Sequence, residues 1–291
     1  VDSLRGALLV SAVAAVALLA ASAAPGPVAA LAAAEELYER RADGSDGPAC
    51  APATIEAALD AYRQALAADP ASLSARRGFL RAVFFRVGFC KVEPGPRSAA
   101  LFEEAKRLGD DTVKRLLSGR EGSRRERLVA AIRGEPLAAE LFLWTAAAWG
   151  QWAVDHKIAA AWQGTAGKMR DLAEAVIAVA PETMDGGAHL ILGRLHTEAP
   201  RIPLLTGWVS KEKGLAAMRA AQAIAPRAKQ HLFFLGAALV EHSERGREEG
   251  LALLRRCAEE PVDPRTPVED RHYVDKARRK LAAAGPARAA R

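Results

Sequence analysis

Few side chains in this 291-residue sequence are spaced to do chemistry together, and the two best arrangements lie on helical stretches. Leu141 to His156 carries three of the five tryptophans, Trp144, Trp149 and Trp152, followed by Asp155 and His156. At about 100° per residue, Trp144, Ala148, Trp152 and Asp155 share one arc, with Trp149 and His156 beside it. A carboxylate next to indole rings can line a binding cavity; bulky rings between alanine-rich neighbours can equally fill a core. The second arrangement is His189 and His196, on one helix face. Seven residues advance a helix by about 10 Å, too far for both imidazoles to reach one metal ion. Asp185, at the head of the same stretch, suits a helix N-cap, with Gly186 and Gly187 leaving room for close backbone approach. The sequence has no Ser/His/Asp set, phosphate loop, GxSxG or paired carboxylates at helical spacing, and its six histidines are scattered. The expectation is recognition without reaction: no catalytic residue, no metal and no cofactor.

The elements that position these residues follow from composition and period. Sixty-six residues are alanine, 16 are aromatic, and β-branched runs are few; that favours helices over a sandwich, barrel or doubly wound sheet. Ala58-x3-Tyr62-x2-Ala65-x4-Pro70 reproduces the second-helix half of a tetratricopeptide repeat, and it recurs as Gly214, Met218, Ala221 and Pro226. Weaker copies are Met169, Ala173, Val176 and Pro181, then Gly250, Leu254 and Cys257. The first-helix half recurs as His189-x2-Leu192-Gly193-x2-His196 and Leu232-x2-Leu235-Gly236-x2-Leu239, each Leu-Gly marking a tight helix crossing. This alternation predicts an all-α, tetratricopeptide-like α-solenoid of helix pairs. Between Pro70 and Pro181 the period lapses; helices are expected over 72–89, 97–117, 123–132, 137–156 and 164–179, with Ser118 to Arg127 a solvated charged connection. In the repeat register the groove-facing positions are Gly187, Leu190, Arg194 and Thr197, then Gln230, Phe233, Ala237 and Val240. Such a surface suits an amphipathic partner helix or an apolar ligand with a carboxylate, unless neighbouring helices cover it.

The net charge of +6 sits in the last stretch, where residues 271–291 hold seven Lys or Arg against Asp275 alone. Everything earlier sums to zero, so no nucleic-acid surface is expected, and Arg271 to Lys280 reads as the solvated end of a last helix. At the other end, Ala7 to Ala24 is small, aliphatic and uncharged, and Val28-Ala29-Ala30 suits signal peptidase. Residues 1–30 therefore read as a secretory signal peptide, or as an uncleaved N-terminal anchor that would tether the chain to the membrane. No cysteine follows the apolar run, so no lipobox is present. One helical domain over 31–284 and a disordered tail over 285–291 complete the organisation. In an exported chain Cys50 and Cys90, both at element boundaries, are either disulfide partners or two free thiols, whereas Cys257 reads as a small buried residue.

Leu37-Tyr-Glu-Arg40, Ala58 to Pro70, Leu143-Trp-Thr-Ala-Ala-Ala-Trp-Gly-Gln-Trp152, Met184-Asp-Gly-Gly-Ala-His-Leu-Ile-Leu-Gly193 and the Gly214 to Pro226 half-repeat follow one another in that order. Over about residues 31 to 280 this resembles the T-component (TatT) family of tripartite ATP-independent periplasmic (TRAP) transporters. The resemblance implies a non-enzymatic periplasmic protein of cryptic tetratricopeptide repeats, trimeric by analogy. Each protomer would hold an apolar cavity and dock the transporter's substrate-binding protein. On that analogy Trp149, Trp152, Leu190 and Phe233 line the cavity, with Arg194 or Asp155 setting its polarity. The absent lipobox and the segment Pro200 to Trp208 depart from the pattern, the latter placed to reshape the cavity mouth. The alternative is a general envelope scaffold whose groove holds a peptide or helix of an assembly partner.

Overall fold

Alanine-rich stretches punctuated by Pro and Gly become thirteen α-helices in the computed structural model, which describes residues 26–90, 96–203 and 205–284. They are α1 (Pro27–Glu39), α2 (Pro52–Ala68), α3 (Leu73–Phe89), α4 (Pro96–Leu117), α5 (Arg124–Gly134), α6 (Ala138–Asp155), α7 (Lys157–Trp162), α8 (Thr165–Val179), α9 (Thr183–Glu198), α10 (Lys211–Ile224), α11 (Lys229–His242), α12 (Arg247–Glu259) and α13 (Pro267–Ala284). The signal or anchor segment up to residue 25 and the tail 285–291 lie outside the described residues; Pro27 to Ala30 form the first turn of α1. No helix of the described residues is long and apolar enough to cross a membrane.

Local signals set the helix starts. Proline occupies the first turn of α1 and α2, where its missing N–H costs nothing. Ser72 caps α3 by accepting from the Ala75 amide. Ser123 and Glu126 form a reciprocal capping box at α5, so the helix expected over 123–132 starts inside the charged Ser118 to Arg127 stretch, which stays mostly exposed. Asp185 does not act as an N-cap: Met184, Asp185 and Gly186 all have left-handed backbone (φ 52°, 57° and 82°), a single tight turn from which the helical run of α9 continues. At Gly186 any Cβ would lie 3.0 Å from Ile224 Cδ1, so the turn needs both the backbone freedom and the space of glycine.

The fold is all-α, built of paired, packed helices in two layers. α1 packs on α2, α3 on α4, α6 on α8, α9 on α10 and α11 on α12, while α4 packs more extensively on α6 than on α3, and α5 packs on α8. The first helix of each pair also touches the first helix of the next, α1 to α3, α3 to α6, α6 to α9, α9 to α11 and α11 to α13. Because α13 in turn touches α3, the contacts of these five helices close into a cycle, the inner ring, and the helices paired with them form the outer set. The crossings of α9 on α10 and of α11 on α12 are nearly backbone to backbone. A Cβ on Gly193 would come within 2.5 Å of Met218 Cγ and 3.1 Å of the Gly214 carbonyl, and one on Gly250 within 2.7 Å of the Gly236 carbonyl. One continuous hydrophobic cluster runs from Ala34 to Ala277. Cys50 and Cys90 are joined by a disulfide that ties the loop before α2 to the end of α3, beside a bond from the Cys50 amide to the Phe89 carbonyl at 2.8 Å. Cys257 is buried, and burial pushes its thiol up to about 12.

Candidate functional site

Paired helices leave one face of each inner helix turned away from its outer partner, and there the sequence places rings. Phe84 and Phe85 are adjacent on α3, so they point to different sides: Phe85 is fully buried, whereas Phe84 stays partly exposed and packs on Trp144 of α6 with centroids 5.5 Å apart. The same doubling occurs on α11 as Phe233 and Phe234. Both meet Tyr273 of α13, at 5.8 and 5.7 Å. Tyr273 and His272 meet Phe89 at the end of α3, at 6.0 and 5.1 Å. Four of the five joints of the ring are thus made or flanked by aromatic side chains, the α9–α11 joint through the guanidinium of Arg194 lying 4.4 Å from the Phe234 centroid. At the fifth joint a Cβ on Gly187 would stand 3.5 Å from Leu143 of α6, and that joint carries no ring contact among the described residues.

Two cations face this belt. Arg194 is held by Glu198 through two bonds of 2.8 and 2.9 Å, a pair of zero net charge. Burial disfavours the guanidinium charge, but the Glu198 carboxylate outweighs it and holds the pKa above the ordinary arginine value. Lys276 lies 5.3 Å above the Phe233 ring and makes no ion pair among the described residues. Burial, then the positive charges of Arg194 and Arg279, pull its ammonium below the usual lysine range. Burial likewise raises the Tyr273 phenol to about 12 and lowers the His272 imidazole. The belt is therefore apolar and π-rich with one unmatched positive charge. It suits a flat or aliphatic ligand with an anionic end.

The residues expected from sequence divide between two places. Phe233 and Arg194 come together on the belt, and Leu190, one turn before Arg194, is 8% exposed. Trp149 and Trp152 turn instead toward α4, α5 and α8. Trp152 donates to Glu103 Oε1 at 2.5 Å and stacks on His156 at 4.6 Å; Trp149 lines a cavity with Val113, Arg127 and Lys168. Asp155 is exposed at the end of α6. Of the other groove positions, Thr197 is buried, bonded to the Gly193 carbonyl at 3.1 Å and packed toward Gly214 of α10, so it faces the outer layer. The basic stretch Arg271 to Lys280 is not simply solvated, because Tyr273, Val274 and Ala277 bury one face of α13.

His196 serves the Pro200 to Trp208 segment. Its Nδ1 accepts from the Ser210 amide at 3.1 Å and its ring meets Trp208 edge-on at 5.3 Å. Among the described residues no three His, Cys, Asp or Glu side chains gather in a way that could hold a metal ion. Sequence reasoning missed Phe84, Phe89, Phe234, Tyr273 and Lys276. The available signal was the doubled phenylalanines, since a helix sandwiched between two sets of neighbours needs large apolar residues on adjacent faces. Compared with known protein families and with curated proteins, the chain matches no family model and no curated protein significantly.

Proposed function

We propose that this chain is a non-catalytic periplasmic accessory of a TRAP-type secondary transporter, which holds an apolar solute with an anionic end against the belt and docks the transporter's substrate-binding protein. The observation that carries the reading is the unpaired Lys276 ammonium among Phe233, Phe234 and Tyr273 on the closed inner ring. Closure of α13 on α3 favours a compact solute over a long extended peptide. The Gly193–Gly214 and Gly236–Gly250 crossings, at equivalent places in successive pairs, support a tetratricopeptide-like solenoid as the finer description of the fold. Exposed apolar side chains at the α6–α7 junction, Val154, Ile158 and Trp162 (61, 77 and 87% exposed), favour a docked protein partner there. The same residues are what a general envelope scaffold would offer to a helix of an assembly partner.

The test is titration of the full chain with decanoate and with decanol, followed by tryptophan fluorescence. Trp144 on the belt is the reporter. Lys276→Gln should weaken decanoate about tenfold, the equivalent of one charge-assisted contact, and leave decanol unchanged. Phe234→Ala should weaken both. Decanoate binding that ignores both substitutions refutes the solute site. Native mass spectrometry with the cell's substrate-binding proteins tests the partner: a trimer that captures one supports the transporter role, and a monomer that captures none shifts the reading to the general scaffold.

A further inference from the structure

The charged stretch that opens α5 and the second tryptophan of α6 meet at a place the inner ring does not use. Between α4, α5, α6 and α8 lies an open cavity of about 480 Å³. Its apolar lining is Val113 and Leu117 of α4 and the indole of Trp149, which is only 3% exposed. Around it stand Lys114, Arg124, Arg127 and Lys168 against the single acid Asp110. The acid is already taken by Lys106 at 2.8 Å, and Arg124 by Asp171 at 3.1 Å. Lys114, Arg127 and Lys168 make no ion pair among the described residues, so three cationic side chains without an ion-pair partner line one concavity.

A second observation points the same way. Trp149 Nε1 and Arg127 Nε are buried N–H groups without an acceptor. Buried donors are nearly always satisfied, so two orphans on lining side chains leave unmet hydrogen-bonding capacity in the cavity wall. Like charges around a concavity repel one another and focus a positive potential into it. We propose that this cavity is a binding site for a small organic polyanion, with its negative groups on Lys114, Arg127 and Lys168 and an apolar or planar part against Trp149, Val113 and Leu117. The site is separate from the belt and independent of its reading.

Calorimetric titration of the full chain at constant ionic strength tests this, with pyrophosphate, citrate and benzene-1,2,4-tricarboxylate as probes and acetate as the monovalent reference. Saturable binding of at least one probe is expected, tighter than acetate by tenfold or more. The pyrophosphate and citrate arms separate phosphate from carboxylate recognition, and the benzene ring reports the apolar floor. Lys114→Gln and Lys168→Gln, both at exposed positions that leave the core intact, should each weaken binding about threefold to tenfold, and Arg127→Gln at least as much. Lys276→Gln, on the belt, should leave it unchanged. No probe exceeding acetate overturns the proposal, as does binding insensitive to the cavity substitutions or abolished by Lys276→Gln. Each of those results leaves the decanoate experiment standing on its own.

Discussion

Replacing Gly250 by alanine separates helix propensity from helix crossing, because the two act in opposite directions at that site. Alanine is favoured over glycine inside a helix by about 1 kcal/mol. The added Cβ would stand 2.7 Å from the Gly236 carbonyl oxygen, 2.9 Å from Leu239 Cβ and 3.0 Å from Val240 Cγ2. The nearest of these is backbone, so no rotamer change relieves it; α11 and α12 must part. Overpacking of this kind costs about 1–3 kcal/mol, and three close atoms place this one in the upper half of that range. The net expectation is a loss of about 1–2 kcal/mol. Gly167 on α8 is the control: nothing stands within 4 Å of its Cβ position, so Gly167→Ala should stabilise by about 0.5–1 kcal/mol. Urea unfolding at 25 °C should put the two midpoints about 1 M apart, given a slope of ~2–3 kcal/mol/M. Equal midpoints, or a Gly250→Ala chain more stable than its parent, would refute the close crossing of α11 on α12.

Three other outcomes follow from buried groups. The Cys50–Cys90 bond spans a sequence separation of 40, so Cys50→Ala with Cys90→Ala should cost about 3–4 kcal/mol; a urea midpoint that is also indifferent to reductant would argue against the cross-link. Lys229, 2% exposed, donates through Nζ to the Cys257 carbonyl at 2.8 Å and to the Glu260 carbonyl, closing the end of α12. Lys229→Met should cost about 2–3 kcal/mol by leaving buried acceptors empty, and an unchanged thermal midpoint would contradict that role. His231 is 1% exposed, and neither ring nitrogen makes a well-aligned hydrogen bond. Burial holds its pKa below the ordinary histidine value, against the weaker opposing pull of the Ala225 backbone and then of Asp185. Above about pH 6.5 it is neutral folded and unfolded alike. Below that the unfolded chain binds the proton first, so stability falls with pH until the folded pKa is passed, and then levels. His231→Phe should flatten the slope between pH 6.5 and 5 by up to about 1.4 kcal/mol per unit; chemical denaturation across that range checks it, with an unchanged slope as the refuting result.

The sequence made the pairs legible and left the ring unread, for a physical reason. A helix crossing demands a small residue at one place on each helix, so Gly193 and Gly214, or Gly236 and Gly250, advertise the contact locally. Closure of α13 on α3 is the summed rotation of successive pairs, and no single position encodes it. The same loss affects α13 itself. Five of the ten residues from Arg271 to Lys280 are Arg or Lys, and their long cationic stems mask Tyr273, Val274 and Ala277, which hold that helix against the ring.

The three tryptophans of α6 mark where periodicity stops carrying information. An amphipathic helix shows its orientation because one face is polar; α6 touches α3, α4, α5, α8 and α9 and has apolar residues almost all round. Trp144 and Trp152 fall on one arc in the sequence, yet Trp144 packs on the inner helix α3 and Trp152 on the outer helix α4, because those two helices meet α6 side by side. Trp149, a little further round, reaches the cavity with Arg127 and Lys168. The arc therefore identifies a set of residues with large apolar surface to bury but not the neighbour each one meets. That choice is made by how the pairs stack, and it separates the rings that line the inner belt from those that line the basic cavity.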